Sequence, residues 1–84
     1  MLIGSLFPTQ ITHSSTLSVM ADKNSRIIMK VLDGEGKIAK TLTSIVDAGK
    51  QDLALNLSDL QNGVYILNAF CGDIFLKSIK FIKQ

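Results

Sequence analysis

His13 lies in the most polar stretch of the chain, Pro8-Thr9-Gln10-Ile11-Thr12-His13-Ser14-Ser15-Thr16, and is the only histidine in 84 residues. A hydroxyl beside an imidazole suggests nucleophilic catalysis. That chemistry also needs a carboxylate to orient the ring and a geometry that sequence neighbours do not supply. His13 therefore reads as an exposed loop residue. Cys71 is the single cysteine. A reactive thiolate needs a basic partner to lower its pKa, and none lies nearby in sequence. Cys71 reads as a buried or half-buried thiol at the end of an apolar strand. One Cys excludes an intrachain disulfide and a thiolate-rich zinc site. One His without convergent partners makes no metal centre.

The carboxylates offer little more. Asp33-Gly34-Glu35-Gly36 resembles a fragment of a calcium loop, but the further oxygen ligands and the bidentate Glu are missing. No Lys-Ser/Thr and no helix follow these glycines, so they do not cradle a phosphate either. The segment reads as a hairpin turn. Asn56-Leu57-Ser58 has the form of a glycosylation sequon, which matters only in a eukaryotic secretory context. Lys77, Lys80 and Lys83 punctuate the last apolar run. At period two, Lys77 and Lys83 share a face and Lys80 opposes them. Two readings follow: a solvated edge strand guarded by lysines against edge-to-edge pairing, or a basic recognition surface.

These residues sit on a chain of short strands. Leu17 and Val19 alternate with polar neighbours. Ile27, Met29 and Val31 point one way. Leu53, Leu55 and Leu57 alternate with Ala54 and Asn56. Val64, Ile66, Asn68 and Phe70 oppose Tyr65, Leu67, Ala69 and Cys71. Period-two alternation of this kind marks half-buried strands. Gly-containing breaks at 33–36, 47–50, 61–63 and 71–73 separate them. Ser58-Asp59-Leu60 interrupts the pattern as one helical turn, with Ser58 as cap and Leu60 in the core. That turn carries the chain from one sheet to the other. The expected strands lie near 6–7, 15–20, 26–32, 38–46, 52–57, 64–71 and 74–82. About seven short strands at this spacing predict an all-β, immunoglobulin-like antiparallel β-sandwich, with a small closed barrel as the alternative. The domain is expected over 6–84, with residues 1–5 as an N-terminal extension or linker.

Within the strand pattern two further positions stand out. Gly63 follows Asn62 at the start of a buried strand, where a positive φ is expected. Tyr65 stands near the start of the penultimate strand, where a sandwich tyrosine bonds backbone through its hydroxyl.

Composition narrows the function classes. At 84 residues the chain forms one small domain, with 46% hydrophobic and 19% charged residues. It is too apolar for disorder. It has no apolar run long enough to span a membrane as a helix. Nine Lys+Arg against seven Asp+Glu give a net charge of +2. With one Arg, no Trp and no dense basic patch, the chain is not read as a nucleic-acid binder. Met1-Leu2-Ile3-Gly4-Ser5 has no basic n-region and is not a signal peptide. Nothing points to a cofactor.

Four pieces carry a family resemblance. Leu6-Phe7-Pro8 with Leu17-Ser18-Val19 resembles an opening aromatic-Pro segment and the strand after it. Val31-Leu32-Asp33-Gly34-Glu35-Gly36-Lys37-Ile38 resembles an "Asp, two variable residues, Gly-Lys, aliphatic" hairpin. Leu55-Asn56-Leu57-Ser58-Asp59-Leu60-Gln61-Asn62-Gly63-Val64-Tyr65 resembles the block "Leu-Ser-x-Leu-x-x-Gly-x-Tyr". Lys77 to Lys83 resembles a Lys-rich terminal strand. Together, from Leu6 to Gln84, the chain resembles the C-terminal sorting domains of type IX (Por) secretion in Bacteroidetes. It departs from them at Thr9-Gln10, where the family usually has Asn-Pro.

The resemblance implies a non-catalytic folded label at the end of a larger secreted protein. It implies outer-membrane secretion machinery and a sortase-like peptidase as partners, and an upstream cargo that carries the activity. The implied route runs through the periplasm to the outer membrane, the cell surface or the extracellular space. The 84 residues are then expected to be a fragment. Gly63, Tyr65, Lys77, Lys80 and Lys83 are the candidate recognition residues. The competing reading is a generic immunoglobulin-like accessory or adhesion module of a secreted protein, a carbohydrate-binding one being a variant against which the absence of Trp counts.

Overall fold

Alternating burial builds the molecule. In the computed structural model, which describes residues 1–84, eight strands run in chain order: β1 Leu2–Phe7, β2 Gln10–Ile11, β3 Ser14–Ala21, β4 Ser25–Leu32, β5 Ile38–Val46, β6 Gly49–Asn56, β7 Gly63–Cys71 and β8 Ile74–Lys83. They form two sheets, ordered β1-β3-β6 and β2-β8-β7-β4-β5. Every pairing is antiparallel except that of β2 with β8. This is an all-β, immunoglobulin-like sandwich. Two separate sheets replace the closed-barrel alternative.

The core is the set of inward residues that the alternation selects. Leu17 on β3, Ile27, Met29 and Val31 on β4, Leu67 and Ala69 on β7 and Phe81 on β8 are all fully buried. Such an aliphatic or aromatic side chain contributes about 1.5–3 kcal/mol by leaving water. Cross-strand register keeps these residues on one face: Met29 stands opposite Ala69, and Val31 opposite Leu67.

The first strand is longer than the alternation implies. β1 begins at Leu2, so residues 2–5, expected as an extension, belong to the sandwich, and Ile3 joins the core at 8% exposure. The reason is a register shift between Ile3 and Leu6. Both side chains point inward although they are three apart, which hides the strand from a period-two reading. The Ser18 hydroxyl fills the gap in the ladder. It accepts from the Ser5 N–H at 2.9 Å and donates to the Ser5 carbonyl at 3.3 Å. Gly4 makes room for it, because a Cβ there would collide with Ser18 Oγ.

Two other expectations are corrected. Residues 8–16 contain a two-residue strand, β2, laid parallel against Ile82 and Lys83. The link before it is held by the buried Ser15, whose hydroxyl donates to the Pro8 carbonyl at 2.6 Å. The end of β8 is thus covered rather than a free edge. Residues 58–60 form a turn, not a helical one. Asn56, not Ser58, is the capping acceptor: its Oδ1 takes the Ser58 N–H at 3.0 Å and the Ser58 hydroxyl at 2.7 Å. Leu60 does enter the core, and the segment does cross from β6 in one sheet to β7 in the other.

Candidate recognition site

The β4–β5 turn and the β6–β7 crossover meet at one end of the sandwich. Between them lies an open groove of about 590 Å³, lined among others by Asp33, Lys37, Asp59, Gln61, Gly63 and Tyr65. Two of the four blocks that carry the family resemblance, the hairpin at 31–38 and the Leu-Ser-x-Leu-x-x-Gly-x-Tyr segment, supply the two walls of this groove.

Each wall is fixed by its own side chains. Asp33 Oδ1 accepts the backbone N–H of Glu35 at 2.9 Å and of Lys37 at 3.0 Å. Its backbone N–H donates to the Lys37 carbonyl at 2.8 Å. An Asp that bonds its own turn in this way organises a loop. The reading of 33–36 as a hairpin turn holds. On the other wall, Tyr65 is 7% exposed, and its hydroxyl donates to the Gln61 carbonyl at 2.6 Å. This is the tyrosine corner of an immunoglobulin-type sandwich. The ring stacks on Phe81 at 5.4 Å and 20°.

The walls are tied by charge as well. Lys40 Nζ donates to Asp59 Oδ1 at 2.8 Å. That hydrogen bond is the main reason the Asp59 carboxyl sits below its usual pKa. Burial pulls the other way, and the charges of Lys40 and Lys83 add to the lowering. Asp22 is lowered too, first by its backbone hydrogen bond and then by the Met1 ammonium at 3.6 Å.

The five candidate residues separate in space. Gly63 and Tyr65 line the groove. The φ of Gly63 is positive, as expected, but at 157° it lies close to the extended limit. Lys83 stands opposite Gly63 in the register and is buried at 6% exposure. Its ammonium reaches the Gln84 carbonyl at 3.5 Å, so it is not an exposed contact residue. Lys80 pairs with Ile66 on the outer face of the larger sheet. Lys77 lies at the far end of β8, where its ammonium donates to the Gly4 carbonyl of the other sheet at 3.2 Å. His13 is exposed, and Cys71 is half-buried and free. No group of three or more His, Cys, Asp or Glu is placed to hold a metal ion, and no helix is long and apolar enough to cross a membrane.

Sequence reasoning missed the Lys40–Asp59 pair, which spans 19 positions and leaves no periodic trace. It also missed Lys30, whose ammonium lies 5.2 Å from the Phe70 ring centroid. Strand pairing could have flagged that contact, because Phe70 faces Ile28, two residues from Lys30 on the same face.

Fold and groove together define a small sandwich module whose two marked sequence blocks converge on one surface. The family model for the secretion system C-terminal sorting domain matches residues 5–84, and the chain belongs to that family, the C-terminal sorting domains of type IX secretion. No curated protein and no solved structure matches the chain significantly.

Proposed function

We propose that this domain is the folded, non-catalytic label by which an upstream cargo is carried through the outer membrane to the cell surface or beyond. Its partners are the type IX machinery and a sortase-like peptidase that removes the label after export. The match of the sorting-domain family across residues 5–84 carries this reading. The convergence of the two signature blocks on one groove supports it, since a label is read as a surface. A second part of that surface is β8. β2 pairs only with Ile82 and Lys83, so upstream of them β8 has a strand partner on one side alone. A partner strand can add there by β-augmentation, with Lys80 fixing orientation.

The test is a periplasm-directed reporter fused to residues 1–84, since β1 belongs to the fold. In a type IX-competent bacterium the fusion should reach the surface. If it stays periplasmic while established sorting domains export the same reporter, the proposal fails and the accessory-module reading replaces it. Deleting 76–84 is a poor control because it removes the core residue Phe81. Lys83→Glu is equally poor, because Lys83 is buried. Lys80→Glu, on an exposed side chain, is the informative variant.

A further inference from the structure

Charge is divided unevenly between the two sheets. The strands of the five-stranded sheet hold Arg26, Lys30, Lys40, Lys77, Lys80 and Lys83, six of the nine basic residues, and none of the seven acidic ones. Six of the acidic residues lie in the turns and Asp52 in β6, so the only carboxylate in a strand belongs to the other sheet. Register shows what the outer face of the larger sheet carries. One row across it is Ser78, Asn68, Lys30 and Thr41. On one side of this polar row stand Lys80, Ile66, Leu32 and Ile38, and on the other Phe75, Phe70, Ile28 and Thr43. Much of the apolar part is exposed: Ile38 at 57%, Phe75 at 54% and Ile66 at 40%.

We propose that this face is a docking surface for an anionic lipid interface, with Arg26, Lys30 and Lys80 meeting headgroups and Phe75, Ile66 and Ile82 entering the acyl boundary. Three observations select that occupant. A second copy laid face to face would bring two cationic faces together, with no carboxylate in the strands of either copy's five-stranded sheet to offset them. A globular protein partner normally seats its anchors in a pocket, and of the two depressions one reaches this face at its margin, at Val64 beside the groove, while the other lies on the smaller sheet. A face that mixes cationic and apolar side chains combines the two attractions that hold a protein in the plane of an anionic membrane. The molecule measures 35 × 23 × 16 Å, so its broad dimensions can lie flat on such a surface. The inference stands apart from the sorting reading, because its test involves no secretion apparatus.

The test is vesicle sedimentation of the full 84-residue chain. It should pellet with vesicles of equal phosphatidylglycerol and phosphatidylcholine. It should remain in solution with phosphatidylcholine alone, and with either vesicle in about 1 M NaCl, where the screening length falls to about 3 Å. Lys30→Glu with Lys80→Glu should weaken binding by at least about tenfold. Phe75→Ser should weaken it without changing the salt dependence. The control is Lys23→Glu with Lys50→Glu, which makes the same change in net charge away from this face and should leave binding within about twofold. Thermal melts of each variant establish that it is folded. Absence of pelleting with the anionic vesicles overturns the proposal, as does equal binding to phosphatidylcholine. Equal losses in the two double variants would reduce the effect to net charge and overturn it too.

Discussion

The Tyr65 hydroxyl donates to the Gln61 carbonyl at 2.6 Å, four residues upstream, and so fixes the end of the β6–β7 crossover to the strand that follows it. The carbonyl it satisfies lies in the groove wall. The ring beneath is held by Phe81. One side chain therefore links core packing to the shape of the candidate recognition surface.

Tyr65→Phe keeps the ring stack and removes the hydrogen bond. A part-buried bond of this kind contributes about 1 kcal/mol net. In a domain of this size that corresponds to a fall of about 4–8 °C in Tm, read by thermal unfolding. An unchanged Tm would show that water replaces the hydroxyl at the Gln61 carbonyl without loss.

Gly4→Ala tests the gap in the β1 ladder. Its Cβ would meet Ser18 Oγ, which holds both backbone groups of Ser5. Forcing an extra methyl into a filled site costs about 1–3 kcal/mol. Ser18→Ala removes the obstacle, so the double variant should lose less than the sum of the single ones. Strict additivity in chemical denaturation would show that the two residues do not share that space.

The two glycines of the β4–β5 turn should respond in opposite directions. Gly36 has φ +81°, a conformation that costs a side-chain-bearing residue about 1–2 kcal/mol. Gly34 has no positive φ, and a Cβ there would meet nothing within 4 Å. Gly36→Ala should lower the denaturation midpoint, while Gly34→Ala should raise stability by about 0.4–1 kcal/mol through the unfolded chain. Equal effects at both positions would contradict the turn geometry.

β4 and β7, in the middle of the larger sheet, were legible in the sequence because their inward residues keep strict period two. Ile27, Met29 and Val31 show it, and so do Tyr65, Leu67 and Ala69. Tyr65 was legible because its place at the start of the penultimate strand is itself a fold rule. What stayed hidden breaks the period or spans distance. The shift between Ile3 and Leu6 conceals the first half of β1. β2 is too short for any pattern. Lys83 reads as one of three surface lysines, and only the covering of its strand by β2 and the placing of the crossover turn show that it is buried. Of the five candidate residues, the groove gathers Gly63 and Tyr65, with Lys83 behind them, while Lys77 and Lys80 face other surfaces.

Acid should separate the wild type from Lys40→Met. Asp59 has its pKa lowered in the folded state, chiefly by the Lys40 hydrogen bond. A depressed carboxyl contributes stability that is present above its unfolded pKa and lost as pH falls through the folded value. The wild-type advantage over Lys40→Met should thus be complete near neutrality and shrink below about pH 4. Asp22, lowered in both proteins, cancels from the comparison. Denaturation midpoints measured across that range give the difference, and a gap that widens toward low pH would reverse the assignment.

Two variants separate the groove from the terminal strand as the surface read by the secretion machinery. Gln61 contributes its carbonyl to Tyr65, while its side chain makes no hydrogen bond and lies exposed at the groove. Gln61→Trp should therefore put a bulky ring at the groove and leave the tyrosine corner intact. Lys80→Glu reverses a charge on the outer face, beside Ile66, without entering the core. If the groove and β8 are both read, each variant should melt as the wild type does and still lower the surface fraction of a fused reporter. For Lys80→Glu the loss should be about fivefold, as for a contact charge contributing about 1 kcal/mol. Gln61→Trp should do more, because it obstructs the meeting point of both signature blocks. Normal export of a folded Gln61→Trp fusion would remove the groove from the recognition surface and leave the terminal strand alone. Normal export of Lys80→Glu would do the converse.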